Sequence, residues 1–99
     1  METLKAIKKV QKIDLINGCF TASEANHIIN SVLNVKINFH KIQRLSIREG
    51  NDEDKCEFDS GRIEELINEQ RISKEFFSQA RLEGKKLKMT STIHVEIED

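Results

Sequence analysis

Residues 86–98 of this chain alternate strictly in character. One parity holds Ser91 and five apolar residues, which are Leu87, Met89, Ile93, Val95 and Ile97. Every residue of the other parity is charged or polar. This period of two predicts a β-strand with one face on a core and the other in water. A single strand leaves backbone N–H and C=O groups unpaired, so a second segment must pair with it.

The N-terminal segment is the best internal partner for this strand, although its pattern is ambiguous. Leu4, Ile7 and Val10 recur every third residue, as on a helix. Ile7, Ile13 and Leu15 instead fit one face of a long strand. We predict a strand ending at Ile13-Asp14-Leu15-Ile16, because the C-terminal strand needs a partner.

The turn pair Asn17-Gly18 is predicted to close this strand, and a helix-start signal follows it. Thr21 is placed as an N-cap, and Glu24 is placed to complete a capping box, so we predict a helix from Ala22. Its inward stripe has helical spacing and consists of Ala25, Ile28, Ile29, Val32 and Leu33. We predict that this helix ends near Asn34.

A second helix is predicted from Asn38, with Phe39, Ile42 and Leu45 pointing inward. The alternative is a short strand, because Ile37 and Phe39 share one parity. Residues 50–59 have no periodicity and gather acidic side chains, so they are predicted to form a mobile acidic loop.

A long third helix is predicted after this loop, capped by Asp59 or Ser60 and ended by Gly84. Most of its apolar residues follow one stripe: Ile63, Leu66, Ile67, Phe77 and Ala80. Ile72 and Phe76 are displaced from that stripe, which indicates a second apolar face and a second neighbour.

These elements predict an α+β fold of β-α-α-α-β order, with a small antiparallel sheet of the N- and C-terminal strands packed against helices. At 99 residues, we expect a single domain spanning 1–99. Apolar runs reach only two residues and no signal peptide is apparent, so we expect a cytoplasmic protein that binds no membrane.

Catalytic and metal-binding signals are weak. Cys19 precedes the predicted N-cap, where a thiol can become reactive, yet neither His27 nor His40 stands at a recognised spacing from it. Cys56 and His94 add no paired metal-ligand motif. We therefore expect no enzyme activity, no metal site and no cofactor.

Charge is segregated along the chain. Residues 1–48 hold eight Lys/Arg against three Asp/Glu, whereas residues 49–59 hold six acids and one Lys. On the predicted second helix, Lys41, Arg44 and Arg48 share a face, and Asn38 lies near them. Two helices with a short link and these residues would suit nucleic-acid binding, which is our alternative function. The pI near 6.3 argues against it.

The stretches IDLINGCFTASEANHIIN, KINFHKIQ and STIHVEIED together resemble a group of small uncharacterised bacterial proteins with β-α-α-α-β order and no assigned function. The resemblance implies a shape and no activity. Our leading hypothesis is therefore a non-catalytic protein-interaction or regulatory module that binds another protein or a second copy of itself as a homodimer. Ile72 and Phe76 are its predicted interface residues, and the open sheet edge is a second contact surface.

Overall fold

The structure is a computed structural model that describes residues 9–98. In these residues the chain forms strand β1 (Val10–Thr21), helix α1 (Ala22–Gly50), helix α2 (Glu57–Leu82) and strand β2 (Lys86–Glu96). The two strands pair antiparallel, so the predicted α+β class is confirmed, with two helices where three were predicted. The chain divides into two compact units. We call residues 20–87 the helical hairpin, and residues 9–19 with 88–98 the ribbon.

The register of the ribbon follows from two bonds. The Ile97 N–H donates to the Lys9 carbonyl oxygen at 2.8 Å, and Thr92 Oγ1 lies 3.3 Å from Asp14 Oδ1. Odd residues therefore face odd residues across this part of the ribbon. The preference for strand over helix is confirmed from Val10 onward, whereas Leu4 and Ile7 lie outside the described residues.

β1 does not stop at Ile16. It continues through Asn17-Gly18 to Thr21, so the predicted turn is wrong. An Asn-Gly pair favours a turn only when the chain must reverse there, and here β2 is available to pair with the whole segment.

The predicted start of α1 is confirmed in detail. Thr21 has extended backbone angles, φ −69° and ψ 162°, as an N-cap requires. The Glu24 N–H donates to Thr21 Oγ1 at 3.1 Å, and the Thr21 N–H donates to Glu24 Oε1 at 2.9 Å. This reciprocal pair is a capping box, which satisfies two N–H groups that the first turn would otherwise leave free.

α1 does not end near Asn34, nor does a new helix begin at Asn38, because α1 is continuous to Gly50. No Gly or Pro lies between Gly18 and Gly50 to interrupt it. Asn34 is occupied with α2, since its Oδ1 accepts a 2.7 Å hydrogen bond from Gln70 Nε2. Packing against α2 thus offsets the weak helix propensity of the two Asn residues.

α2 begins earlier than predicted, after a connection of residues 51–56. Glu57 to Asp59 are helical, and neither Asp59 nor Ser60 is the cap. The N-cap is Cys56, a left-handed residue with φ 50° whose side chain makes no capping bond. The Cys56 N–H instead donates to Asp54 Oδ1 at 2.7 Å, which fixes the turn that reverses the chain.

The two helices run antiparallel and share one line of contact, which we call the seam. On α2 the seam residues recur at alternating spacings of four and three, as in a coiled coil, and from Ile63 onward they are the buried and half-buried residues of the helix; they are Asp59, Ile63, Leu66, Gln70, Ser73, Phe77 and Ala80. The core cluster within it joins Ile37 of α1 to Ile63 and Leu66, with Leu33 packed beside them.

The end of α2 matches the predicted glycine terminator. Gly84 has φ +66°, and its N–H donates to the Arg81 carbonyl oxygen at 3.0 Å. The Lys85 N–H donates to the Ala80 carbonyl oxygen, also at 3.0 Å. These two bonds form a Schellman motif, in which a left-handed residue lets the backbone satisfy the last free carbonyls.

Candidate interaction surfaces

A buried ionisable pair lies on the seam. His40 and Asp59 are each 2% exposed, and His40 Nδ1 is 2.8 Å from Asp59 Oδ1. Because the carboxylate only accepts, the proton of this bond belongs on Nδ1. His40 Nε2 is buried and has no hydrogen-bond partner among the described residues.

Cys56 lies three residues before Asp59 in sequence, yet its thiol is not exposed as a nucleophile would be. Its buried Sγ is 3.8 Å from the carbonyl oxygens of Arg44 and Asp54, which are weak acceptor contacts. A catalytic thiol needs a base within reach and access for substrate. The buried side chains here connect α1 to the start of α2, which is a structural role.

The residues predicted to bind nucleic acid are divided between two roles. Asn38 and Lys41 are exposed, but Arg44 is half-buried and donates from Nη1 to Ser60 Oγ at 3.1 Å. Arg48 Nε donates to the Asp54 carbonyl oxygen at 3.4 Å. Because α1 is continuous, the two short helices on which the groove-reading arrangement depended do not exist.

The remaining candidate ligands are dispersed. Cys19, His27 and His94 are exposed on three different elements. Across residues 9–98 no three His, Cys, Asp or Glu side chains converge to hold a metal ion.

The largest organised feature outside the seam is a second apolar stripe on α1. Its members recur at alternating spacings of four and three, and they are Ile28, Val32, Val35, Phe39 and Ile42. Ile28 is half-buried and the other four are exposed, with Val35 71% exposed. At about 100° per residue, this stripe lies roughly a third of a turn from the seam. The seam against α2 therefore leaves it uncovered.

α2 carries a matching stripe that includes the predicted interface residues. Phe58, Ile72 and Phe76 are exposed, Ile72 at 46% and Phe76 at 60%. On each helix the stripe is reached from the seam by a rotation about the helix axis, and the rotation has the same sense on both helices when each is viewed along its own chain direction. Because the two helices are antiparallel, both stripes lie on one side of the hairpin. Ring contacts agree with this placement: the His40 ring lies 5.2 Å from Phe39 and 5.9 Å from Phe58, both edge-to-face. We call the two stripes together the second face.

The two halves of the second face differ in charge. Residues 25–48 of α1 include four Lys/Arg and no Asp/Glu. Lys36 borders the α1 stripe, with its Nζ 4.8 Å from the Phe39 ring centroid, a cation–π contact. On α2, Glu65 and Glu69 lie between Phe58 and Ile72 on the same stripe, and both are exposed. The α1 half of the face is thus apolar with a basic margin, whereas the middle of the α2 half holds Glu69 and a 2.7 Å ion pair between Arg62 and Glu65.

The α1 stripe is the part of this surface that sequence reasoning missed. The spacing of Ile28, Val32, Val35, Phe39 and Ile42 is visible in the sequence. The predicted break near Asn34 separates its members into two helices, and the prediction that Val32, Phe39, Ile42 and Leu45 point inward is wrong, because all four are exposed. A test of heptad spacing across that break would have found the stripe.

Comparison with protein-family models, with curated proteins and with solved structures found no match to this chain. Within residues 9–98, neither helix combines the length and the apolar composition that crossing a bilayer requires.

Proposed function

We propose that this chain is a small non-catalytic protein-interaction module, homodimeric, whose partner-binding surface is the second face of the helical hairpin. One observation carries the proposal. α1 leaves a regular apolar stripe uncovered, and α2 leaves Phe58, Ile72 and Phe76 uncovered on the same side, next to a seam that already serves the fold. Single exposed apolar residues are ordinary on protein surfaces, whereas contiguous apolar patches mark binding sites.

The partner that fits this face is an amphipathic helix of another protein. Two parallel apolar stripes on a helix pair accept the apolar residues of a third helix at three- and four-residue spacing. Its flank toward Lys36 would be acidic, and its flank toward Glu69 would be basic. A second α1 would suit the same place less well, because it would bring Lys36 close to its own copy.

Phe39 and Phe76 are the side chains that we expect to contribute most to partner binding. Aromatic residues bury large areas at low entropic cost and dominate binding energies. Phe39 is about half exposed and Phe76 more so, and each keeps one ring edge on a neighbouring ring. They are therefore held in place before a partner arrives, which lowers the cost of binding.

The test is site-specific photo-cross-linking in cells that make the protein. A benzophenone amino acid replaces Val35 on the second face or, as the matched control, Asn30 on an exposed polar part of the same helix. We expect an adduct at position 35 that maps to a helical segment of a different protein. Phe39→Asp in the same chain should remove that adduct.

Three outcomes would contradict the proposal: no adduct, equal adducts at both positions, or an adduct at 35 only with a second copy of this chain. The last outcome would assign the second face to self-association. Val35→Asp should leave the melting temperature of the purified protein unchanged, because this side chain is 71% exposed. A large decrease would show that Val35 is part of the core.

A further inference from the structure

The ribbon leaves one edge of β2 unpaired. In the described part of the chain the sheet has two strands, β1 pairs with one edge of β2, and residues 92–98 are all exposed. Such an edge presents free N–H and C=O groups to any strand that matches it. The chain contains no proline that would block pairing there.

The backbone register decides which β2 residues have their hydrogen-bonding groups on the free edge. Ile97 bonds to β1, and alternate residues bond on the same side in an antiparallel ladder. Odd residues near Ile97 therefore bond inward, and even residues such as Thr92, His94 and Glu96 present their backbone groups outward. A second strand must pair even residues with even residues.

The charges of β2 are complementary to those of its own antiparallel copy. With Thr92 opposite Thr92 of the copy, Lys88 faces Glu96, and Lys86 faces Glu98. The apolar parity matches at the same time, because Leu87 then lies opposite Ile97, and Met89 opposite Val95. The two-fold axis repeats each charge pair, so four Lys–Glu pairs form across one interface.

Other registers and directions satisfy fewer pairs. A shift of two residues replaces both kinds of Lys–Glu pair with a single kind, which is Lys86–Glu96 in one direction and Lys88–Glu98 in the other. A shift of one residue would pair even with odd positions, which puts the apolar parity on the wrong face. Parallel pairing in register would put Lys beside Lys, and Glu beside Glu.

We infer that β2 pairs with β2 of a second copy about a two-fold axis at Thr92, which joins the two ribbons into one four-stranded antiparallel sheet. This inference rests on the homodimer of the proposed function and uses none of the residues of the second face. A two-stranded sheet is marginal by itself, and three or more strands with an apolar face are needed for independent stability. The joined sheet has four strands, and the apolar parity of the two β2 strands lies on one face.

The free edge of β1 is the weaker competitor for the second copy. Centred on Ile13, an antiparallel β1 pair would match Lys12 with Asp14 and form only this one kind of charge pair. The Asp14 carboxylate already accepts from Thr92 Oγ1. Gly18 further weakens the strand, because it has no side chain to pack.

A cysteine cross-link tests the register. In a Cys19→Ser background, which removes the exposed thiol, Thr92→Cys puts two thiols directly opposite each other across the axis, within disulfide range. The control is Thr90→Cys, which would lie opposite His94. We expect mild oxidation to convert the Thr92→Cys chain into a covalent dimer at least about tenfold faster than the Thr90→Cys chain. Equal rates would overturn the inferred register.

Charge reversal tests the pairing itself, with sedimentation equilibrium as the measurement. The double variant Lys86→Glu, Lys88→Glu puts acids opposite acids and should weaken the dimer about tenfold or more. Adding Glu96→Lys and Glu98→Lys to the same chain restores opposite charges and should restore the dimer. Lys41→Glu with Lys74→Glu makes the same charge change on exposed helix positions and should have no such effect.

These measurements test the homodimer, the β2 pairing and the second face separately. A wild-type chain that stays monomeric at millimolar concentration would overturn both this inference and the homodimer. A dimer that the β2 reversals do not weaken, or that the four-fold swap does not restore, would overturn β2 pairing alone. Cross-linking at position 35 reports on the second face independently of either result.

Discussion

The helical hairpin and the ribbon differ most in where their apolar side chains lie. All ten buried residues among those described fall between Ala22 and Ala80, within the hairpin. The ribbon has none, although the apolar parity of β2 is as regular as the seam of α2. Ile13, Leu15, Ile93, Val95 and Ile97 are all exposed. Regular patterning thus produces a core in one unit and an uncovered surface in the other.

The hairpin and the ribbon therefore use their amphipathic patterns differently. In the hairpin, the seam stabilises the fold and the second face is surplus. In the ribbon, the apolar residues are exposed except Ile16 and Met89, which are half-buried, so we expect association with another molecule to add to its stability. Substitutions should therefore lower the stability of a dilute monomer at the seam and alter association at the ribbon.

The largest expected effect comes from breaking the buried pair with Asp59→Ala. This change leaves His40 buried with no hydrogen-bond partner among residues 9–98, and removal of one member of a buried pair typically costs about 3–5 kcal/mol. Urea unfolding at low protein concentration measures it. Replacing both His40 and Asp59 with Leu should cost much less, because no polar group is then stranded. Equal losses in the two variants would contradict this explanation.

A matched pair of isoleucines tests the comparison directly. Ile63→Ala in the seam should lower the free energy of unfolding by about 2–4 kcal/mol, because Ile63 is only 6% exposed. Ile93→Ala in the ribbon should lower it by less than about 1 kcal/mol, because Ile93 is 42% exposed. The comparison fails if the dilute monomer loses as much stability from Ile93→Ala as from Ile63→Ala.

Two glycines in the hairpin separate backbone strain from steric fit. Neither Gly61 nor Gly84 has any atom within 4 Å of an added Cβ, but only Gly84 has a positive φ, +66°. Gly84→Ala should cost about 1 kcal/mol, since a side chain disfavours the left-handed conformation. Gly61→Ala should instead stabilise α2 by about 0.5–1 kcal/mol. Thermal unfolding of both variants should show shifts of opposite sign.

The smallest expected effect is at the start of α1. Thr21→Ala removes the side-chain acceptor for the Glu24 N–H and should cost about 1 kcal/mol. Thr21→Ser keeps that acceptor and should cost a few tenths at most. Amide hydrogen exchange at Glu24 provides the local readout, and we expect faster exchange in the Ala variant alone.

The parts of the fold that local chemistry determines could be predicted from sequence. The capping box at Thr21, the terminator at Gly84 and the alternation of β2 all depend on residues within a few positions of one another. Such signals keep their meaning in most surroundings. They identified two strands, the start of α1 and the end of α2.

The errors came where distant contacts override local preference. Asn34 and Asn38 look like helix ends, yet Asn34 bonds to Gln70, 36 positions away. Asp59 looks like a cap, yet its carboxylate is taken by His40. Asn17-Gly18 looks like a turn, yet it lies within a paired strand. The same errors hid the α1 half of the second face, while its α2 half was predicted from the displaced Ile72 and Phe76.

The antiparallel register of the ribbon also determines how the chain responds to mechanical force. Lys9 and Ile97 lie side by side at one end of the ribbon, joined by a 2.8 Å bond. A load applied between these two residues pulls across the strands, so it opens the interstrand hydrogen bonds one after another instead of shearing them together. The ribbon should therefore peel apart at low force, and the helical hairpin should carry load only after the ribbon has opened.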